Sequence, residues 1–382
     1  MEQIDKQTID KLSQERSPNS ISIYLPTTRE DPESKENRNR INLKNKIKTA
    51  RQNLEQQGFQ QKDIDQYLKP LYDIVEDAGF LRSLWDGLAI FLNERTFKYY
   101  TLPLDFDNVL YMGEDFYLLP LLRPVKENKN FYILSLNLHG VKLYKANRFS
   151  IEPVELEAFI PEQIEEVTGF DEYKDKVYQH RSAVVGGGQT FYHGHAKGEE
   201  EKKQEVQRFL RYVEDGLQNI LSNKTEPLVV ASVDYIFSLF REVTGYKYLV
   251  DRNISESPRD ENEKSLLKKA WQVIQDQLDR ERAQKVKEYL DSNNKSFMIE
   301  DILPNVLYNR VETLFVNKKE CVWGSLHHDT FEVSQHHQRQ NGDEDLLNFA
   351  AVKAFLNNGR VYLMAPEEMP DGQKPLNALY RF

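Results

Sequence analysis

The stretch V-Y-Q-H-R-S-A-V-V-G-G-G-Q-T-F-Y-H-G-H-A, Val177 to Ala196, contains three consecutive glycines, Gly186 to Gly188, followed by Gln189. Its apolar residues recur at neither helical nor strand spacing, so the run reads as an exposed loop with Gln189 at its tip. Glycine adopts positive φ without penalty, and Gly186-Gly187-Gly188 can bring bare backbone N–H groups against a ligand where a Cβ would clash. Glutamine cannot serve as a general base, because its amide does not titrate near neutral pH. A Gly-Gly-Gln tip can still orient a water or donate a backbone N–H to a leaving oxygen, which is catalysis by positioning and electrostatics. The plain alternative is a connector whose glutamine has no role.

Outward from the loop, Glu199 to Leu221 predicts a long helix with Val206, Phe209, Leu210, Val213, Leu217 and Ile220 on its inner face. Before the loop, Phe131 to Leu136 and Val141 to Lys145 predict two strands around His139-Gly140, and Pro161 to Tyr178 predicts a polar helix. After the long helix come a strand at Leu228 to Ala231, a short helix at Val233 to Glu242 and a last strand at Tyr246 to Val250. At the start of the chain, Ile21 to Pro26 is a strand. From Asn37 to Arg51 there are six cations and no acid, with Leu43, Ile47, Ala50 and Leu54 forming a helical apolar stripe. Arg40, Lys44, Lys48 and Arg51 form a basic stripe beside it, which is either a solvated face or a phosphate contact. Beyond Ser257-Pro258, a charged helix from Glu261 to Leu290 precedes alternating strands and helices, which suggests a small α/β sandwich.

At 382 residues, with 39% hydrophobic and 11% aromatic content, the chain is long enough for two or three packed domains, and three fit best: 1–125, 126–257 and 258–382. The fold class is α/β. No apolar run approaches the roughly 20 residues of a membrane helix, so a cytoplasmic protein without a membrane partner is expected. The single cysteine, Cys321, excludes an internal disulfide and is expected in a buried strand. The histidine spacings do not make a metal site, and His327, His328, His336 and His337 are expected on a hairpin surface. A Walker loop, a dinucleotide fingerprint and a nucleophile elbow are all missing, so no cofactor is expected. The net charge of −10 confines any nucleic-acid contact to local patches.

The Gly187-Gly188-Gln189 tip, the long helix after it and the α/β segments on both sides resemble the class I peptide release factors and Pelota, and more closely the bacterial archaeo-eukaryotic release factors, with family 3 as the expected subgroup. The resemblance implies a ribonuclease-H-like mixed sheet in the middle domain and a third domain of the release factor/Pelota type, the latter offering a surface to a translational GTPase. It also implies ribosome and tRNA as partners, and Gly187, Gly188 and Gln189 as catalysts of peptidyl-tRNA ester hydrolysis. His193 and His195 then either touch the tRNA end or shape the loop. The family's codon-reading motifs are not matched by Glu33-Ser34-Lys35-Glu36 or by Tyr111-Met112-Gly113-Glu114-Asp115-Phe116, so stop-codon reading is not implied. The residues after the tip, Thr190 to Lys197, also depart from the family pattern. A non-catalytic A-site binder, of the hibernation type, is the competing expectation.

Overall fold

The computed structural model describes residues 4–27, 32–127, 130–156, 195–255, 262–327, 330–340, 342–372 and 374–382. These group into two compact units, one built from 1–127 with 282–382 and the other from 128–281. The division falls inside a single long helix.

The chain begins with α1 (Lys6–Gln14), whose N-terminus is capped by Asp5, the carboxylate accepting from Thr8 N at 2.8 Å. Then follow β1 (Ser20–Pro26), α2 (Pro32–Gln56), α3 (Gln61–Glu76), α4 (Ala78–Ser83), β2 (Gly87–Leu92), β3 (Phe97–Leu102), β4 (Val109–Gly113) and α5 (Leu119–Glu127). The four strands form an antiparallel sheet in the order β3-β2-β1-β4. Strand alternation sends Ile21, Ile23, Leu25, Leu88 and Ile90 to one face, where they pack with Leu43, Ile47, Ala50 and Leu54 of α2. Tyr24 and Phe91 meet edge to face at 5.9 Å.

The second unit opens with β5 (Phe131–Asn137), β6 (Gly140–Ala146) and β7 (Ile151–Val154). It continues with α6 (His195–Leu221), β8 (Leu228–Ala231), α7 (Asp234–Val243) and the first part of α8 (Glu263–Asp291). Its sheet is mixed, in the order β7-β6-β5-β8, with β5 and β8 parallel. One core joins Leu134, Leu136 and Leu143 to Val206, Phe209, Leu210 and Val213 of α6 and Phe240 of α7. The alternate strand residues Ile133, Tyr144 and Val229 pack instead with Leu266, Ala270, Val273 and Ile274 of α8. β5 is buried from Phe131 to Leu136 and β8 along its whole length, as a sheet covered on both faces requires, while β6 and β7 carry exposed Lys142, Lys145 and Glu152.

The remaining elements are β9 (Lys295–Ser296), α9 (Ile299–Leu307), β10 (Val311–Asn317), β11 (Trp323–Leu326), β12 (Val333–His336), β13 (Glu344–Asp345), α10 (Leu346–Leu356), β14 (Arg360–Met364) and β15 (Leu376–Tyr380). They build a sheet β14-β10-β15-β9 and a smaller one β12-β11-β13. Asn348 of α10 is 2% exposed and ties this stretch to the N-terminal one: its Oδ1 accepts from Leu118 N at 2.8 Å and Leu119 N at 3.0 Å.

Two expectations are corrected. The segment 246–250 is not a regular strand: the chain turns there, Leu249 N donating to Tyr246 O at 3.4 Å, and it makes a single parallel bridge, Leu249 with Leu228. Cys321 is exposed and lies ahead of β11 rather than inside a buried strand.

Candidate functional site

Gly187, Gly188, Gln189 and His193 lie outside the described residues, as does the helix expected at Pro161 to Tyr178. His195 is the first residue of α6. The described elements on either side of this segment are β7, which precedes it in the chain, and α6, which follows it. The inner face of α6 is buried over four turns, with Phe209, Leu210 and Val213 at 0% exposure. Ile220, expected in the same row, is only partly buried against this core.

At the C-terminal end of α6 the sequence places an acid, Glu214, on the buried side of the helix, where it is 4% exposed. A buried carboxylate requires donors, and three are present. Thr244 Oγ1 donates to Oε2 at 2.7 Å, while Gly245 N and Gln218 Nε2 donate to Oε1 at 2.8 and 3.2 Å. The clamp holds the turn after α7 beside the end of α6. A pocket of about 490 Å³ opens there, lined by Leu217, Leu221 and Leu228, by Lys224 of the loop after α6, and by Lys247 and Tyr248.

The basic stripe on α2 is largely occupied by acids of its own unit. Arg40 Nη2 lies 2.7 Å from Glu36, which also accepts from Arg82 Nε at 2.7 Å. Lys44 lies 3.2 Å from Glu76. Arg51 meets Glu55 at 3.2 Å and Asp65 at 2.6 Å, and donates to the Tyr72 hydroxyl at 3.3 Å. Lys48 is exposed, and among the described residues it has no ion pair. The six-cation run therefore presents less free charge than its composition suggests, since its partners come from α3 and from α2 itself.

Residues 131–276 match the model of bacterial archaeo-eukaryotic release factor family 7. This segment, less than half of the chain, includes Gly187-Gly188-Gln189, His193, His195, Glu214 and the pocket. The matched model is that of family 7, where family 3 was the expected subgroup. No curated protein matches the chain. Among solved structures, the archaeal translation termination factor aRF1 aligns at 15% identity over 99% of both chains with a TM-score of 0.22. Archaeal Pelota, from a ribosome-bound model with ABCE1, aligns at 13% identity over 99% of this chain and 95% of that one, TM-score 0.37. Dom34 of S. cerevisiae aligns at 11% identity over 100% and 94%, TM-score 0.33.

Outside that segment, a buried acidic group was not legible in the sequence. Asp115, Glu344 and Asp345 come together around Asn348, Asp115 accepting from Asn348 Nδ2 at 3.2 Å and from the Tyr111 hydroxyl at 2.8 Å. Burial pushes the Glu344 carboxyl up to about 7, with Arg16 opposing it, and the Asp345 carboxyl up to about 6, with the Leu347 and Val322 N–H groups opposing. Burial likewise raises Asp115. Asp115 is more than two hundred residues from the other two acids in the chain, so no local spacing marks the group. His336, the last residue of β12, has its Nδ1 2.9 Å from Asp343 Oδ1. Among the described residues, no set of histidines, cysteines and acids is arranged to hold a metal, and no helix is long and apolar enough to cross a membrane.

Proposed function

We propose that this chain is a ribosome-associated, release-factor-like protein that promotes hydrolysis of the peptidyl-tRNA ester in rescue or stress, without reading a stop codon. The observation that carries this is the presence of Gly187-Gly188-Gln189 inside the segment matched to a bacterial release factor family. The glycines permit the backbone to approach a crowded ester, and Gln189 places the attacking water and stabilises the leaving 3′-oxygen of the tRNA. The ester C–O bond breaks, water supplies the new acyl oxygen, and the proton passes to the 3′-oxygen. The ribosome supplies the rest of the site.

In this account the middle domain is ribonuclease-H-like and presents the loop, with His193 and His195 flanking the tRNA end. The C-terminal α/β domain, 258–382, is of the Pelota third-domain type and receives a translational GTPase. The domain 1–125 faces ribosomal RNA through the α2 stripe, where Lys48 is the cation available without displacing an acid. The protein works in the cytoplasm and needs no cofactor.

A second account, an A-site binder without chemistry, is favoured by the engagement of Arg40, Lys44 and Arg51 with acids and by the unmatched codon-reading motifs. Co-sedimentation with ribosomes, run beside a peptide-release assay on ribosomes carrying peptidyl-tRNA in the P site, separates the two. Binding with release supports the first, binding without release selects the second, and neither removes both.

A further inference from the structure

The pocket at the C-terminal end of α6 is left unused by the chemistry above. Its size, about 490 Å³, falls in the range of small-ligand sites. Its floor is apolar, made by Leu217, Leu221 and Leu228, all 2% exposed or less. Its side wall carries Tyr246 and Tyr248, which meet edge to face with ring centroids 5.8 Å apart. The Tyr246 hydroxyl donates to Glu226 O at 2.6 Å, which fixes that ring, while Tyr248 remains 44% exposed. An exposed ring braced by a fixed one above an apolar floor is a surface suited to a flat partner.

The charges select which flat partner. Both nearby acids are engaged: Glu214 by Thr244, Gly245 and Gln218, and Glu226 by the Thr225 N–H at 2.9 Å. The two lysines on the rim, Lys224 and Lys247, come from separate loops, and among the described residues neither forms an ion pair. Lys224 and Lys247 are both exposed and put two cations beside the aromatic wall, whereas the Glu214 carboxylate is buried. Stacking on an aromatic ring with cations placed for the backbone is how single-stranded RNA is held.

We propose that this pocket binds one unstacked nucleotide of an RNA strand, the base against Tyr248 and the apolar floor, the phosphate at Lys224 and Lys247. Glu214 is a positioning residue, holding the turn that carries the tyrosine wall. A helix rises about 1.5 Å per residue. The pocket therefore lies at the opposite end of α6 from His195, and the site is independent of the ester chemistry.

The test is fluorescence anisotropy of a labelled single-stranded oligoribonucleotide with the full chain, over a series of salt concentrations. Tyr248→Ala should weaken binding about tenfold with the salt slope unchanged, and Tyr248→Phe, which keeps the ring, should bind as the parent does. Lys224→Glu with Lys247→Glu should weaken binding and make the slope of log K against log salt shallower by about 1.4, the value for two phosphate contacts on a single strand. Gln189→Ala should leave this binding unchanged, which separates the pocket from the loop. Absence of binding by the parent chain, or binding indifferent to both the tyrosine and the lysine variants, overturns the proposal. Capture only of mononucleotides, or only of an acidic peptide, overturns the assignment to an RNA strand.

Discussion

Arg16 Nη2 lies 3.1 Å from Glu344 Oε2, an ion pair in which the arginine is half exposed and the glutamate nearly buried. Burial outweighs the arginine, and the carboxyl is pushed up to about 7 from an ordinary 4.5. A carboxyl raised on folding favours the native state while protonated. Its contribution is therefore full below about 4.5 and is lost as pH rises through about 7. Asp345, raised from 3.8 to about 6, acts in the same direction over a lower window. Glu344→Gln should thus be nearly neutral at pH 5 and stabilising at pH 8, by about 2–3 kcal/mol, since a tenfold change in acidity corresponds to about 1.4 kcal/mol. Thermal unfolding of the parent and the variant at the two pH values checks this. An equal gain at both pH values would remove the protonation argument.

Asn348 stands beside this pair, with both ends of its amide in use. Besides accepting from Leu118 N and Leu119 N, it donates to Phe116 O at 3.1 Å and to Asp115. Asn348→Ala leaves two buried N–H groups without an acceptor. It should lower the stability of this unit by about 2–4 kcal/mol, given roughly 1–3 kcal/mol for each unsatisfied buried group. Urea denaturation, read at the midpoint with an unchanged slope, measures it.

Glu214→Ala should cost the 128–281 unit about 2–4 kcal/mol, because Gly245 N loses its partner and a buried side chain leaves a cavity. Thr244→Val, which removes a single bond to the carboxylate, should cost less, about 1.5 kcal/mol. Equal losses in urea denaturation would mean that the carboxylate is not shared among its three donors as described.

The helical stripes were the most legible part of the sequence. Leu43, Ile47, Ala50 and Leu54 on α2 are all buried, and on α6 the same holds for Val206, Phe209, Leu210, Val213 and Leu217. Strands covered on both faces, such as β5 and β8, were legible as continuous apolar runs. The elements missed were those whose signal is not periodic: α1, α4 and α5 are short, β7 is a four-residue strand containing Glu152 and Pro153, and β9 and β15 are strands stabilised by pairing with distant segments. Composition also overstated the α2 stripe, because a run of cations does not reveal that Glu76 and Asp65 of α3 will fold back onto it. The tripeptide Gly187-Gly188-Gln189 was the opposite case. It is legible in the sequence and lies outside the described residues. The clamp on Glu214 and the acidic group around Asn348 join residues too far apart in the chain for any spacing rule.

If α2 meets ribosomal RNA, Lys48, which forms no ion pair among the described residues, should carry the contact. Lys48→Glu should weaken ribosome binding and reduce the salt slope by about one, whereas Lys44→Glu should act mainly by repelling Glu76. Co-sedimentation at several salt concentrations checks it, and an unchanged slope for Lys48→Glu returns α2 to an ordinary solvated face.

The most direct measurement of the central claim is the single-turnover rate of peptide release from ribosomes holding peptidyl-tRNA in the P site beside a vacant A site. The account predicts release without a stop codon, slowed about 10²-fold by Gln189→Ala, the scale set by losing one positioned group at the reacting centre, and by Gly188→Ala as well. Release at the parental rate by both variants would contradict it.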